Sequence, residues 1–224
     1  VNRLIKSIYY SFFKPRQVVL LDYPVQPAPL YSKQNPHPQL LQLVEQNLQQ
    51  YALLLDEALK LKDFFLKINA VESNTSSLPC WNNGFMPGLD VVLLYTILAS
   101  FKPKRYIEIG SGTSTKIAAK AKKEQQLDYN ITCIDPNPRS EIKSIADEWV
   151  HQQLQHASLT IFDELEENDI LFFDGSHLLH ANSDVQWFFM EVLPRLKKGV
   201  LVQVHDIYLP YDYPKNMCKR FYAE

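Results

Sequence analysis

RYIEIGSGTSTKIAAKA, residues 105–121, is the stretch on which the fold turns. A short apolar run from Arg105 to Ile109 meets Gly110 and Gly112, and an Ala/Lys-rich segment through Lys123 follows. The chain has only 6 glycines in 224 residues, well below the roughly 7% of average usage, so two of them two apart mark a place with a special need. Where a strand ends and a helix begins, free backbone N–H groups and the helix dipole suit a nucleotide-like ligand, provided the backbone can come close. Gly110 and Gly112 supply that approach. Taken alone, the same GxG also fits a purely structural strand-to-helix turn.

Outward from this stretch the pattern alternates. A helix, LDVVLLYTILASF (residues 89–101), precedes it; after it come a strand ITCID (131–135), a helix over about 139–154 and a weak strand near 158–162. Then follow a strand DILFFD (169–174), a helix over about 182–197 and a strand GVLVQVHD (199–206). Near-continuous apolar strands that alternate with helices predict an α/β fold with a doubly wound, mostly parallel sheet covered on both faces. One link fits poorly: FDELEEN alone separates the third and fourth strands, whereas a parallel crossover takes roughly ten to twelve residues or more.

The N-terminal part reads differently. Residues 1–13 space Val1, Leu4, Ile5, Ile8 and Phe12 as a helix with Arg3, Lys6 and Lys14 nearby. Such a helix either docks on its own domain or a second subunit, or lies on a membrane surface. Six of the 14 prolines fall between Pro15 and Pro38 and make an extended connector. Leu41, Val44, Leu48, Tyr51, Leu55 and Ala58 then predict one long amphipathic helix to about Leu66. The expected division is a helical, proline-rich accessory region at 1–70 and a ligand-binding domain at 71–224.

Bulk composition narrows the partners. A formal net charge of -2 exerts no global pull toward nucleic acid, and the lysine and arginine clusters lie at predicted helix ends or solvated helix faces. Cys80, Cys133 and Cys218 show no CxxC or Cys/His ligand spacing, which points to a reduced, cytoplasmic setting. No apolar run reaches the roughly 18–20 residues of a membrane span, and the first residues lack the layout of a signal peptide. The chain starts at Val1 rather than methionine, as a fragment would.

Acidic residues sharpen the glycine turn. Glu108 interrupts an apolar strand where an unpaired carboxylate costs several kcal/mol, a cost that a cationic ligand group would offset. Asp135 ends the next strand at close to the spacing from which an acidic side chain accepts ribose hydroxyls; it also fits a turn aspartate before Pro136. Thr115 stands where a dinucleotide fingerprint has its last glycine, which disfavours NAD and FAD, and no GK[ST] follows, which excludes a P-loop.

IEIGSGTST, with Asp135 after the next strand and FFDGSH after the fourth, resembles the class I S-adenosylmethionine-dependent methyltransferases. WNNGF (81–85), KPKRYIEIGSGTST, DILFFDGSH and HDIYLPYDYP, in that order, resemble the subgroup called methyltransferase family 24, over roughly residues 80–224. The resemblance implies a Rossmann-like fold with S-adenosylmethionine as cofactor. Glu108, Gly110, Ser111, Gly112 and Ser114 would hold its methionine end, Glu108 facing the ammonium. Asp135 would take the ribose, Asp163 would lie near the adenine, and Asp174 would border the site. Such folds normally close with a further helix and two more strands, which this chain is expected to lack.

At the predicted ligand edge stand Asp174, Ser176, His177, His205 and Asp206. A histidine, His205 or His177, could take an acceptor's proton. The resemblance also implies a metal-dependent route in which Asp174, His205 and Asp206 bind Mg²⁺ or Mn²⁺. Strand-end aspartates that cap loops, and a satisfied core histidine, are the structural alternatives, and His37, His151, His156 and His180 are read as structural. DGSH replaces the [DN]PP[YFW] signature of N-methylation, so the expected reaction is O-methylation of a small molecule, with YLPYDYP (208–214) as a wall of the acceptor pocket. A non-catalytic binding module on the same fold is the alternative, and either form is compatible with a homo-oligomer.

Overall fold

The computed structural model describes residues 28–71, 77–138 and 141–218, together with residues 5, 8, 9, 12, 23 and 24. The expected helix at 1–13 therefore lies largely outside the described residues; Ile5, Ile8, Tyr9 and Phe12 are helical and exposed. In chain order come α1 (Pro38–Glu45), α2 (Leu48–Lys60), α3 (Lys62–Phe65), α4 (Gly88–Phe101), β1 (Arg105–Ile109), α5 (Thr113–Glu124), β2 (Asn130–Ile134) and β3 (Glu148–Val150). Next are α6 (Thr160–Asp163), β4 (Ile170–Phe173), α7 (Asp184–Trp187), β5 (Leu201–Val204) and α8 (Lys215–Cys218).

The five strands form one sheet in the order β3-β2-β1-β4-β5, and every pairing is parallel. Side chains alternate across a strand, and β4 shows the result. Ile170 and Phe172 enter the cluster beneath α4 and α5, whereas Leu171 and Phe173 enter the opposite cluster with Val185, Phe188 and Val192. All four are buried, each worth roughly 1.5–3 kcal/mol. α4 is apolar nearly all round because it is sandwiched: Val91, Leu94, Tyr95 and Leu98 are fully buried, and the helix lies between α2 and α5. Ala58, Phe65 and Ile68 join that same cluster, so part of the N-terminal region shares the core of the sheet.

Four expectations are corrected. The helix at 139–154 is replaced by β3, and the weak strand at 158–162 by the short α6. Asp147 decides this: its N–H donates to Ile131 O at 2.9 Å, and its Oδ2 accepts from Ile131 N at 2.8 Å and Lys122 Nζ at 2.7 Å. The chain is thereby pinned beside β2 and continues the ladder at Glu148, a tertiary constraint that outweighs local helical preference. With β3 there, residues 151–169 make the crossover to β4 and the short link disappears. The long helix to Leu66 is broken at Gln46–Asn47 and at Leu61, and Leu48, Tyr51 and Leu55 of its expected apolar face are exposed. Finally, the helix expected over 182–197 starts as α7, widens to π geometry at Phe188–Val192 and tightens to a 3-10 turn at Leu193–Arg195. Pro194 has no N–H to give and crowds the carbonyl four residues earlier, which forces such a change of pitch.

Candidate active site

A cleft of about 680 Å³ opens at the C-terminal ends of the strands, lined by Gly110, Ser111, Asp135, Gln153, Asp174 and His180 among others. A smaller recess of about 40 Å³, lined by Phe85, Met86, Gly112, Ser114, Phe172 and His205, shares Ser111 and Asp174 with it. Those two residues therefore stand at the junction of the two spaces.

The glycine turn owes its shape to close packing. Gly110 has φ +81, and a Cβ there would lie 2.0 Å from the carbonyl oxygen of Asp174. Gly110 N donates to Ile134 O and Asp174 N to Ile109 O, at 3.0 and 2.9 Å, so the ends of three strands meet at this point. Gly110→Ala combines a left-handed backbone with a backbone clash, and should cost about 2 kcal/mol, read as a lower urea midpoint. Gly112 is different. Its backbone is extended, it precedes α5, and nothing lies within 4 Å of where a Cβ would sit, which leaves the helix N-terminus open to the recess. Ser111 Oγ donates to Asp135 Oδ2 and Asn137 N to Asp135 Oδ1, each at 2.7 Å, so the Asp135 carboxylate is held toward the cleft.

Glu108 lies behind the glycine turn. It is fully buried under α5 and lines neither space. Its carboxyl accepts from Ser114 Oγ and, at 2.8 Å, from Thr115 Oγ1, while Thr115 Oγ1 accepts from Gly112 N at 3.0 Å. Burial pushes its pKa up to about 8 against the help of those two hydroxyls, and Asp174 and Asp135 add to the rise. The residue thus supports the turn from behind.

Past β4 and β5 the expected polar cluster is assembled. His177, in a left-handed conformation with φ +59, sets Nε2 2.9 Å from Asp174 Oδ1. His205 is only 5% exposed. Its Nδ1 lies 3.4 Å from Asp206 Oδ1 and 3.7 Å from Asp174 Oδ1, and its Nε2 lies 3.4 Å from Asp90 Oδ2 at the start of α4. Neither ring nitrogen makes a short, directed hydrogen bond among the described residues, yet all three carboxylates lie at ion-pair distance. Burial alone would lower the His205 pKa; Asp174, Asp90 and Asp206 outweigh it and push it up to about 10. Asp174 shows the reverse balance, held below the usual carboxylate range by His177 and His205 despite its burial. Three carboxylates around one buried ring thus favour the imidazolium form of His205. Asp174, His177 and Asp206 offer three ligand atoms within 4.8 Å of one another.

Other expectations fare unevenly. Asp163 does not line the cleft; its Oδ1 accepts from Arg195 Nη1 at 2.7 Å on the protein exterior. The segment after β3 delivers Gln153 and Gln155 to the wall instead. His180, read as structural, is at the cleft too. Asp90 and Phe85 were missed because they precede the sheet, although WNNGF was a visible signal. Asn83 shapes that loop by accepting from Phe85 N and Met86 N at 2.9 and 2.7 Å. In the YLPYDYP segment, Tyr213 Oη donates to Asp206 O at 2.7 Å, and Asp212 Oδ2 accepts from Tyr31 N at 2.9 Å, which ties residue 31 to the loop after β5.

Residues 107–207 match a family model described as a methyltransferase domain. An uncharacterized protein of Archaeoglobus fulgidus is 31% identical over 114 residues, 48% of this chain and 52% of that protein; the chain thus spans about half the length of the curated relative it matches. Among solved structures, the SAH-bound Podospora anserina methyltransferase PaMTH1 aligns with a TM-score of 0.38 and 16% identity, over 68% of this chain and 61% of that one.

Proposed function

We propose, for a chain whose residues 107–207 match a methyltransferase domain model, that it moves the methyl group of S-adenosylmethionine to a hydroxyl of a small molecule. The observation that carries this reading is the junction at Ser111 and Asp174, where a nucleoside-sized cleft with an inward carboxylate meets a recess backed by the polar cluster. The residues fit the cofactor. Asp135 offers carboxylate oxygens to ribose hydroxyls, Gln153 and Gln155 lie farther along the cleft, and the open N-terminus of α5 faces the recess. When bound, S-adenosylmethionine supplies an activated methyl group for in-line displacement.

The chain's own part is alignment, exclusion of water and care of one proton. Phe85, Met86 and Phe172 give the recess apolar walls. The His205 imidazolium offsets part of the charge of Asp90, Asp174 and Asp206. Asp174 lines both spaces and Asp206 lies beside it across His205; either carboxylate could accept the proton of an incoming hydroxyl. A divalent cation also fits the set Asp174, His177 and Asp206, where it would lower the pKa of that hydroxyl. DGSH in place of the N-methylation signature favours the hydroxyl. Among the described residues no helix is long and apolar enough to cross a membrane.

Calorimetric titration with S-adenosylhomocysteine, with and without Mg²⁺ or Mn²⁺ and with NADH as control, tests the reading. Micromolar binding of S-adenosylhomocysteine and no binding of NADH is the expected result, and a metal-dependent gain would assign the cation. Absence of S-adenosylhomocysteine binding under all conditions would remove the cofactor from this site.

A further inference from the structure

Asp184 is the acidic residue at the cleft to which sequence reasoning gave no role. It opens α7 after Ser183, whose Oγ accepts from Gln186 N at 3.1 Å. Its carboxylate points back across the loop: Oδ2 accepts from Ser176 N at 2.7 Å, and Oδ1 accepts from Ser176 Oγ and, at 2.9 Å, from Val185 N. The loop it reaches runs from Asp174 through Gly175 and Ser176 to His177, the last in a left-handed conformation. Such a conformation persists only where the surroundings over-determine it. Gly175 records how close the brace lies, since a Cβ there would come within 2.4 Å of Asp184 Oδ2. On the far side, Gln155 Nε2 donates to Asn182 O at 2.7 Å and Asn182 N to Gln186 Oε1 at 2.7 Å, so the segment that carries Asp184 is anchored to the opposite wall of the cleft.

We propose that Asp184 is a positioning residue: by holding Ser176 it sets the turn that brings His177 against Asp174 and fixes that wall of the cleft. A carboxylate is suited to this, because charge-assisted bonds to a backbone N–H and a hydroxyl at once fix both position and orientation. The inference rests on the cofactor reading above for its ligand probe, and on the His177–Asp174 contact alone for its second readout.

Four proteins test it, the wild type and the Asp184→Ala, Asp184→Asn and Gly175→Ala variants. Each is titrated with S-adenosylhomocysteine, its thermal midpoint is measured, and the His177 ring nitrogens are followed by ¹H–¹⁵N spectroscopy without ligand. Asp184→Ala removes the brace, and Gly175→Ala crowds it, its Cβ meeting both Asp184 Oδ2 and the buried Phe173 ring; each should weaken S-adenosylhomocysteine binding roughly 10-fold or more and shift the His177 ring signals. Asp184→Asn keeps an acceptor oxygen for Ser176 N and should recover most of both. If Asp184→Ala lowers the thermal midpoint but leaves affinity and ring signals at wild-type values, Asp184 is only structural and the proposal is overturned. Should that variant not fold, Gly175→Ala and Asp184→Asn decide by the same two readouts. A wild type that fails to bind S-adenosylhomocysteine counts against the cofactor reading, and the ring signals then decide the positioning role by themselves.

Discussion

Glu108→Gln is expected to make the protein more stable at neutral and alkaline pH and to remove a slope from its stability profile. In the folded chain the Glu108 carboxyl is raised to about 8 from an ordinary 4.5. Between those two values the unfolded chain has released this proton while the folded chain still holds it, so stability falls as pH rises, by about 1.4 kcal/mol per unit. The favourable state is fully present below the unfolded value and is lost as pH climbs through the folded one. Glutamine fills the same volume, still accepts from Thr115, and does not titrate. Urea unfolding of both proteins at pH 5.5 and 7.5 should therefore show the wild type losing about 3 kcal/mol relative to the variant. All other titrating groups are common to both proteins and largely cancel. Parallel profiles would mean that the Ser114 and Thr115 hydroxyls keep the carboxylate ionised in spite of its burial.

Parts of the fold were plain in the residue order because local and long-range forces agree there. RYIEI is a strand of the expected bounds, and ILFF and LVQV lie inside the expected runs; RYIEI and ILFF bury side chains on both faces, whereas LVQV at the sheet edge is only partly covered. Disagreement between local and distant forces hid the rest. Glu148–Val150 is too short to show a period, and its strand form rests on contacts with β2 that begin with the hold of Asp147 on Ile131. In the N-terminal region Leu48, Tyr51 and Leu55 repeat like a buried face yet are exposed; within α2 only Ala58 of that stripe, near the helix C-terminus, reaches the core.

Site chemistry divides along the same line. Gly110, Ser111 and Asp135 follow from one strand–turn–helix unit and the strand after it, so spacing alone suffices to bring them to one edge. The charge of His205 does not follow from spacing, because the carboxylates around it come from the start of α4 and the ends of β4 and β5. Seen in sequence, HD at 205–206 suggests a base or a ligand; the three carboxylates that push the ring's pKa up are visible only in the fold. Glu108 is the converse case: its place in the strand was legible, and alternation puts it on the α5 side with Tyr106 and Phe172, where the Ser114 and Thr115 hydroxyls reach its carboxyl.

Asp135→Ala should weaken S-adenosylhomocysteine binding by roughly 100-fold, the worth of one or two hydrogen bonds to a charged acceptor. The side chain touches Ser111 and Asn137 in the free protein, so a loss of affinity alone would not separate contact with the ligand from a relaxed turn. A second ligand does. 5′-Methylthioadenosine carries the same ribose but no amino-acid end, and a carboxylate that grips ribose hydroxyls must matter equally to both molecules. The expected result is an equal factor of loss for the two ligands in Asp135→Ala, with Asp135→Asn intermediate because it keeps one acceptor oxygen. If methylthioadenosine binding survives while S-adenosylhomocysteine binding falls, Asp135 acts on the amino-acid end, most directly through Ser111 at the junction with the recess. That outcome would reverse the orientation of the cofactor in the cleft and move the transferred methyl group away from Asp174 and Asp206.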